Sequence, residues 1–195
     1  MKTVTIAVQP AYEARIEKGL VHQTGAQLAD LLPGGSPSVF VITNAAVRKH
    51  WGNALTESLN RAKLSFQVLE MGDGERYKTL ATIEVLATRL VERGADRHSL
   101  ILAFGGGVVG DVAGFLASIY MRGLDFVQAP TTFLAQVDAA IGGKNLWQFP
   151  AKLKDAASRI EEARAKQLTL ETLRGWLGGV DRFLIGALRH PKPQQ

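Results

Sequence analysis

A regular alternation of short apolar runs with amphipathic helical segments constrains this chain more than any other feature. Each β-branched apolar run is followed by a segment whose apolar positions repeat every three or four residues. Strands alternating with helices of this length pair in parallel, with helices on both faces of the sheet. The sequence therefore predicts an α/β domain. The predicted strands cover residues 38–43, 65–71, 100–104 and 126–129, and the predicted helices 47–62, 80–91, 107–121 and 132–141.

Two of these helices have apolar faces that we expect to be buried. In the first the face comprises Val47, Trp51, Leu55, Leu59 and Ala62, and in the second Leu80, Ile83, Ala87, Leu90 and Val91. Before the alternating region, residues 4–8 and 12–16 read as extended and 21–32 as helical. After it, residues 152–166 and 173–188 carry amphipathic patterns that predict a short helical tail.

Composition excludes several classes of function. The chain has 23 Lys and Arg residues against 18 Asp and Glu residues. It has no run of basic residues and no basic stripe interleaved with aromatic residues, so the sequence does not predict nucleic-acid binding. The chain has no cysteine, which excludes disulfides and thiol catalysis and is compatible with a cytoplasmic location. Its first residues lack a signal-peptide pattern, and the apolar run at 100–120 contains five glycines and Asp111, so we expect no membrane association.

A glycine-rich segment follows the third predicted strand. Gly105, Gly107 and Gly110 satisfy the spacing G-x-G-x-x-G where a helix begins. This spacing gives a tight turn and directs free helix amides at a diphosphate. The alternative interpretation is a glycine turn that only lets a helix pack closely on the sheet.

Other strand ends also carry polar residues. The turn at 72–78 holds Asp73, Glu75, Arg76 and Lys78. Asp73 can cap the next helix and Glu75 can pair with Lys78, but two cations in the first turn of a helix are better explained by a nearby anion. The alternative is a solvated charged face. Thr131, Thr132 and Asn44 also follow strands, where helix capping is the alternative role. The four histidines, His22, His50, His98 and His190, are far apart and predict no metal site.

Taken together, these segments resemble the 3-dehydroquinate synthase family of the sugar-phosphate cyclase group. The matching segments are 73–78, 105–111, 120–123, 127–132, Gln136-Val137-Asp138 and Gly142-Gly143-Lys144, so the resemblance covers about residues 1–144. It implies a Rossmann-like fold and NAD-dependent conversion of the seven-carbon phosphate DAHP into 3-dehydroquinate, with loss of phosphate. It also implies that a zinc or cobalt ion takes part in the reaction.

The resemblance also implies roles for individual residues. Asp138 and Lys144 would contact the substrate, and Arg122 would reach its phosphate from the neighbouring subunit of a homodimer. NAD would be held by Asn44, Asp73, Gly74, Glu75, Arg76, Tyr77, Lys78, Gly107, Val108, Val109, Gly110, Asp111, Thr131 and Thr132.

After Lys144 the chain departs from the family pattern. The family continues into N-H-P-x-G-K-N and a helical domain that supplies a glutamate and two histidines to the metal, whereas only His190 follows here. We therefore expect an NAD-binding domain at 1–144 and a helical tail at 145–195 in place of the metal-binding domain. The alternatives are a non-catalytic NAD-binding fragment, a half-enzyme completed by a separate helical chain, and a related sugar-phosphate cyclase or polyol dehydrogenase.

Overall fold

A mixed β-sheet organises the computed structural model, which describes residues 1–6, 12–32 and 37–136 and the backbone of 182–188. The strands are β1 Lys2–Ile6, β2 Tyr12–Lys18, β3 Val39–Asn44, β4 Phe66–Met71, β5 Leu100–Gly105, β6 Asp125–Pro130 and β7 Arg182–Leu188. The α-helices are α1 Thr24–Leu31, α2 Ala45–Arg61, α3 Leu80–Glu92 and α4 Gly107–Ile119. Short 3-10 helices cover Leu20–Gln23, Glu75–Tyr77 and Tyr120–Arg122.

The sheet has a parallel half and an antiparallel half. Its strand order is β1-β2-β7-β6-β5-β3-β4, and the four strands from β6 to β4 are parallel. This confirms the parallel α/β prediction for the alternating part of the sequence. The antiparallel half, in which β2 pairs with β1 and β7, was not predicted.

The prediction of helix over residues 173–188 is wrong for Arg182–Leu188. This segment is strand β7, which pairs antiparallel with both β2 and β6. A short apolar run fits a strand as well as a helix, and here the backbone groups of two neighbouring strands decide between them. The other predicted tail segments, including 152–166, lie outside the described residues.

Helices cover both faces of the parallel half. α3 and α4 pack on one face, where Phe40, Ile42 and Ile101 are buried, while α1 and α2 pack on the other, around Val41 and Leu102. Every residue of β3 and β5 is buried, as expected for central strands of a doubly wound sheet. The fold is therefore Rossmann-like, as predicted.

The predicted helix faces need three corrections. In α3 the buried residues are Ile83, Leu86 and Leu90, whereas Leu80 is 56% and Val91 66% exposed. Val91 lies off the stripe that Ile83, Leu86 and Leu90 form at three- and four-residue spacing, whereas Leu80 keeps that spacing but is the first residue of the helix. Trp51 of α2 is 38% exposed.

Within the described residues, no helix is both long and apolar enough to cross a membrane.

Two arginines at the C-terminal end of α3 and directly after it protect the outer edge of the sheet. The guanidinium of Arg89 donates to the carbonyl of Glu70 at 2.9 Å, and that of Arg93 donates to the carbonyl of Val68 at 3.1 Å. Both carbonyls belong to β4, the last strand of the parallel half. Occupied edge carbonyls are less available for pairing with another chain.

Candidate functional site

The strand order changes direction at one point of the parallel half. The chain moves outward from β3 to β4 and then returns to the other side of β3 to form β5. Ligands of open α/β sheets bind at such a switch point, beyond the carboxyl ends of the strands. Helices α2 and α4 both begin there, and the predicted glycine segment forms the start of α4.

The N-terminus of α4 carries no side-chain cap from the described residues. Its N-cap residue is Gly106, and the first hydrogen bond of the helix runs from the amide of Gly110 to the carbonyl of Gly106 at 3.0 Å. The amides of Gly107, Val108 and Val109 precede that bond, so they have no partner within the helix. Such an end is suited to binding an anion.

Two glycines of the segment are closely packed. A Cβ at Gly105 would lie 2.7 Å from the side chain of Val109, and one at Gly110 would lie 3.1 Å from Oε1 of Gln128. The packing interpretation of the motif is therefore correct for these two residues. It does not explain why the first turn of α4 lacks a cap.

Asn44 joins the end of β3 to the turn that follows β4. Its Oδ1 accepts from the amide of Val47 at 2.9 Å and so caps α2, and its Nδ2 donates to Asp73 Oδ1 at 2.8 Å. The capping alternative proposed from the sequence is confirmed, and the same side chain also positions an exposed carboxylate at the switch point.

The charged turn at 72–78 differs from its prediction in two respects. Arg76 and Lys78, which were expected in the first turn of a helix, precede α3, which begins at Leu80. Thr79, and not Asp73, caps α3, by accepting from the amide of Thr82 at 3.2 Å. A 3-10 helix at Glu75–Tyr77 separates Asp73 from α3 and places it too far back to cap that helix. The predicted pairing of Glu75 with Lys78 is confirmed at 3.9 Å.

Tyr77 and two glycines define the shape of this turn. The ring of Tyr77 covers Gly72, where a Cβ would lie 2.2 Å from the ring carbons. The guanidinium of Arg76 lies 5.0 Å from the centroid of the same ring. Gly74 has a φ of 93°, which side-chain-bearing residues rarely adopt. The turn therefore has a defined backbone conformation.

A buried ion pair connects this turn to α4. Nζ of Lys78 lies 2.5 Å from Oδ2 of Asp111, and the two side chains are only 7% and 11% exposed. Asp111 lies on the second turn of α4, where its charge alone would oppose an anion at the helix N-terminus. The ammonium group compensates that charge, so the open end of α4 stays favourable for an anion.

The end of β6 completes the row of strand ends. The amide of Thr131 donates to the carbonyl of Gly105 at 2.9 Å, and the hydroxyl of Thr132 caps the helical turn that begins at Phe133. Thr131 Oγ1 is buried and has no partner among the described residues. Gln136, which lies in a matching sequence segment but carries no predicted role, donates its side-chain amide to the carbonyl of Pro130 at 3.3 Å.

Arg122 does not join this group. It follows the C-terminus of α4, a helix of 13 residues and thus about 20 Å long. Arg122 therefore lies toward the amino ends of the strands, away from the ends that carry the site. Asp138 and Lys144 lie outside the described residues. The structure thus brings together Asn44, the turn at 73–78, the start of α4 and the threonines at 131 and 132.

Comparison with known proteins identifies the family. Residues 68–173, more than half of the chain, match the family model for the 3-dehydroquinate synthase N-terminal domain. The chain belongs to the 3-dehydroquinate synthase family. The resemblance seen in the sequence is therefore confirmed, and the match extends past Lys144, although the predicted boundary at 144 stays a prediction.

Two similar 3-dehydroquinate synthases show the extent of the likeness. The chain is 50% identical to that of Koribacter versatilis over 133 residues, which are 68% of this chain and 36% of that protein. It is 48% identical to that of Pelotomaculum thermopropionicum over 175 residues, 89% of this chain and 46% of that protein. The chain therefore spans less than half the length of these relatives.

Solved sugar-phosphate cyclase structures share the fold. A 2-deoxy-scyllo-inosose synthase complexed with carbaglucose-6-phosphate, NAD+ and Co2+ has a TM-score of 0.61 at 27% identity, covering 70% of this chain and 36% of that one. ValA, a 2-epi-5-epi-valiolone synthase from Streptomyces hygroscopicus with NAD+ and Zn2+ bound, has a TM-score of 0.54 at 32% identity, covering 60% and 32%.

Proposed function

We propose that this chain is the coenzyme-binding part of a 3-dehydroquinate synthase. A 3-dehydroquinate synthase uses NAD to convert DAHP into 3-dehydroquinate with loss of phosphate. The observation that carries the proposal is the uncapped N-terminus of α4 at the switch point of the sheet. Family membership supports the choice of reaction.

The described residues fit NAD in three ways. The amides of Gly107, Val108 and Val109 would donate to the diphosphate, next to Gly110 and the Lys78–Asp111 pair. Asp73, held by Asn44, offers a carboxylate for ribose hydroxyls, as acidic residues do in dinucleotide sites. Residues 74–77 would form the wall beside it, and Thr131 and Thr132 would line the opposite side. When bound, NAD accepts and returns a hydride.

The remaining roles rest on the family resemblance. Asp138 and Lys144 would contact the phosphate-bearing substrate. Arg122 would reach its phosphate from the partner subunit of a homodimer, since within one chain α4 separates this residue from the coenzyme edge. A guanidinium suits this role because it binds phosphate oxygens in a bidentate manner.

The zinc or cobalt ion of the reaction does not fit the described residues. Among residues 1–6, 12–32 and 37–136, no group of three His, Asp or Glu side chains could hold a metal ion. We therefore assign no metal-dependent step to them. In this proposal, turnover requires a helical chain or domain that contributes the metal ligands.

Calorimetric titration of the full chain with NAD tests the coenzyme assignment. We expect saturable binding that Asp73→Ala weakens several-fold, because the substitution removes the carboxylate held by Asn44. Glu57→Ala, which removes an exposed carboxylate of α2, is the control and should bind NAD as the unaltered chain does. Absence of NAD binding by the folded chain would refute the assignment.

A phosphate-release assay tests the division of labour between chains. With DAHP, NAD and zinc, we expect little phosphate from this chain alone and restored release on adding a metal-binding helical partner. A normal rate from the chain alone would refute the need for that partner.

Because the similar solved structures are other sugar-phosphate cyclases, a second candidate function is cyclisation of a related sugar phosphate. Parallel assays with other sugar phosphates separate the two candidates.

A further inference from the structure

A coenzyme bound at the switch point would place its adenosine half toward β4. This step rests on the function proposed above, in which the diphosphate lies at the start of α4. The substrate contacts implied by the resemblance follow β6 in the chain, so the reacting nicotinamide belongs on the β6 side. The other half of the molecule then extends past β3. Two strand spacings, about 10 Å in all, separate the ends of β5 and β4 and bring the adenosine ribose to the turn at 72–78.

Asp73 is the first charged residue beyond β4, and one of its carboxylate oxygens is free. The side chain is exposed, and Oδ1 accepts from Nδ2 of Asn44 at 2.8 Å. Among residues 1–6, 12–32 and 37–136, Oδ2 has no hydrogen-bond partner and the carboxylate has no ion-pair partner. Asn44 is itself fixed, because it caps α2. One oxygen of Asp73 is therefore held in place while the other is open to a ligand.

The cations of this turn do not neutralise Asp73. Nζ of Lys78 lies 2.5 Å from Oδ2 of Asp111, in a pair that is mostly buried. The guanidinium of Arg76 lies over the ring of Tyr77. Glu75 adds a second exposed carboxylate, 3.9 Å from Lys78. The ribose would thus meet a negative charge at Asp73 that no cation of the described residues compensates.

A carboxylate beside the adenosine ribose distinguishes NAD from NADP. The two coenzymes differ on the 2′-oxygen of that ribose, which carries a hydrogen in NAD and a phosphate in NADP. The hydroxyl of NAD donates a hydrogen bond to the carboxylate. A phosphate monoester instead carries about −1.5 to −2 charges at neutral pH and offers mainly acceptors. Placing like charges next to each other strongly disfavours binding.

We propose that Asp73 makes this site selective for NAD over NADP. Its Oδ2 accepts from the 2′-hydroxyl of NAD and repels the 2′-phosphate of NADP. Lys78 does not offset the repulsion, because its ammonium group is already paired with Asp111.

Calorimetric titration of the full chain with NAD and with NADP tests the selectivity. We expect a Kd for NADP that is at least about 50-fold above the Kd for NAD. Asp73→Asn removes the charge and keeps an oxygen acceptor for Asn44, so the exposed turn should keep its fold. This variant should bind NADP at least about ten-fold more tightly than the unaltered chain does, while NAD binding weakens. Glu57→Gln, at an exposed position of α2, is the control and should leave both Kd values unchanged.

Glu75→Gln tests which of the two carboxylates is responsible. It should change the ratio of the two Kd values less than Asp73→Asn does, because Glu75 lies beside Lys78. A larger change would overturn the assignment to Asp73. Equal Kd values for NAD and NADP in the unaltered chain, or an unchanged ratio in Asp73→Asn, would overturn the selectivity and leave the proposed function standing. Binding of neither coenzyme would overturn both.

Discussion

Helices α2 and α4 both begin at the switch point, yet only α2 has a side-chain cap at its N-terminus. Asn44 caps α2, whereas Gly106 provides α4 with no side-chain cap. The body of α4 is buried from Val109 to Ala117, while α2 buries only Leu55, Ser58 and Leu59. The helix with the more deeply buried body thus has the N-terminus without a side-chain cap, and this is the end at which we propose that the NAD diphosphate binds.

The largest expected effect comes from the ion pair that supports α4. Lys78→Met leaves the mostly buried carboxylate of Asp111 without its nearest cation, and we expect a loss of about 3 kcal/mol in unfolding free energy. Urea denaturation measures this loss, with Lys63→Met as the control. The double variant Lys78→Met with Asp111→Asn should lose less than Lys78→Met alone. A loss below about 1 kcal/mol for Lys78→Met would show that the pair contributes little.

Removing the cap of α2 makes the two helix ends alike. Asn44→Ala deletes the acceptor for the amide of Val47 and the donor to Asp73, so we expect a loss of about 1 kcal/mol in unfolding free energy. NAD affinity should also fall, because Asp73 is no longer positioned. Asn60→Ala, an exposed residue near the end of α2, is the control for both measurements. Unchanged stability would contradict the capping role.

Glycine-to-alanine substitutions compare the bodies of the two helices. Gly52→Ala in α2 should raise the unfolding free energy by about 0.5–1 kcal/mol, because alanine favours helix and Arg48 can move. Gly110→Ala in α4 places its Cβ 3.1 Å from the buried side chain of Gln128, so we expect no gain or a loss. Thermal unfolding measures both. Equal gains would contradict the close packing around α4.

Most of the parallel half could be predicted from sequence, because its strands and helices carry strong apolar periodicity. β3 and β5 are buried on both faces and therefore read as continuous apolar runs. β7 could not be predicted in this way, since its pattern fits helix and strand equally. Only its pairing with β2 and β6, which are distant in sequence, selects the strand.

The candidate site was predictable as a set of turns but not in its contacts. Glycine spacing located the start of α4, and strand ends located Asn44 and Asp73. The hydrogen bond between these two residues joins separate βα units, so no local pattern indicates it. The same holds for the pairing of Lys78 with Asp111, which are 33 residues apart.

The open N-terminus of α4 is tested most directly by closing it. Gly106 has a φ of −75°, and its Cβ would be in ordinary contact with Thr132 at 3.4 Å, so Gly106→Asp and Gly106→Ala should both fold. The aspartate would cap the free amides and repel a diphosphate, and we predict at least about a ten-fold rise in the Kd for NAD by calorimetry. Gly106→Ala should change the Kd by less than about two-fold. Equal NAD affinity in the aspartate variant and the unaltered chain would contradict a diphosphate site at this helix end.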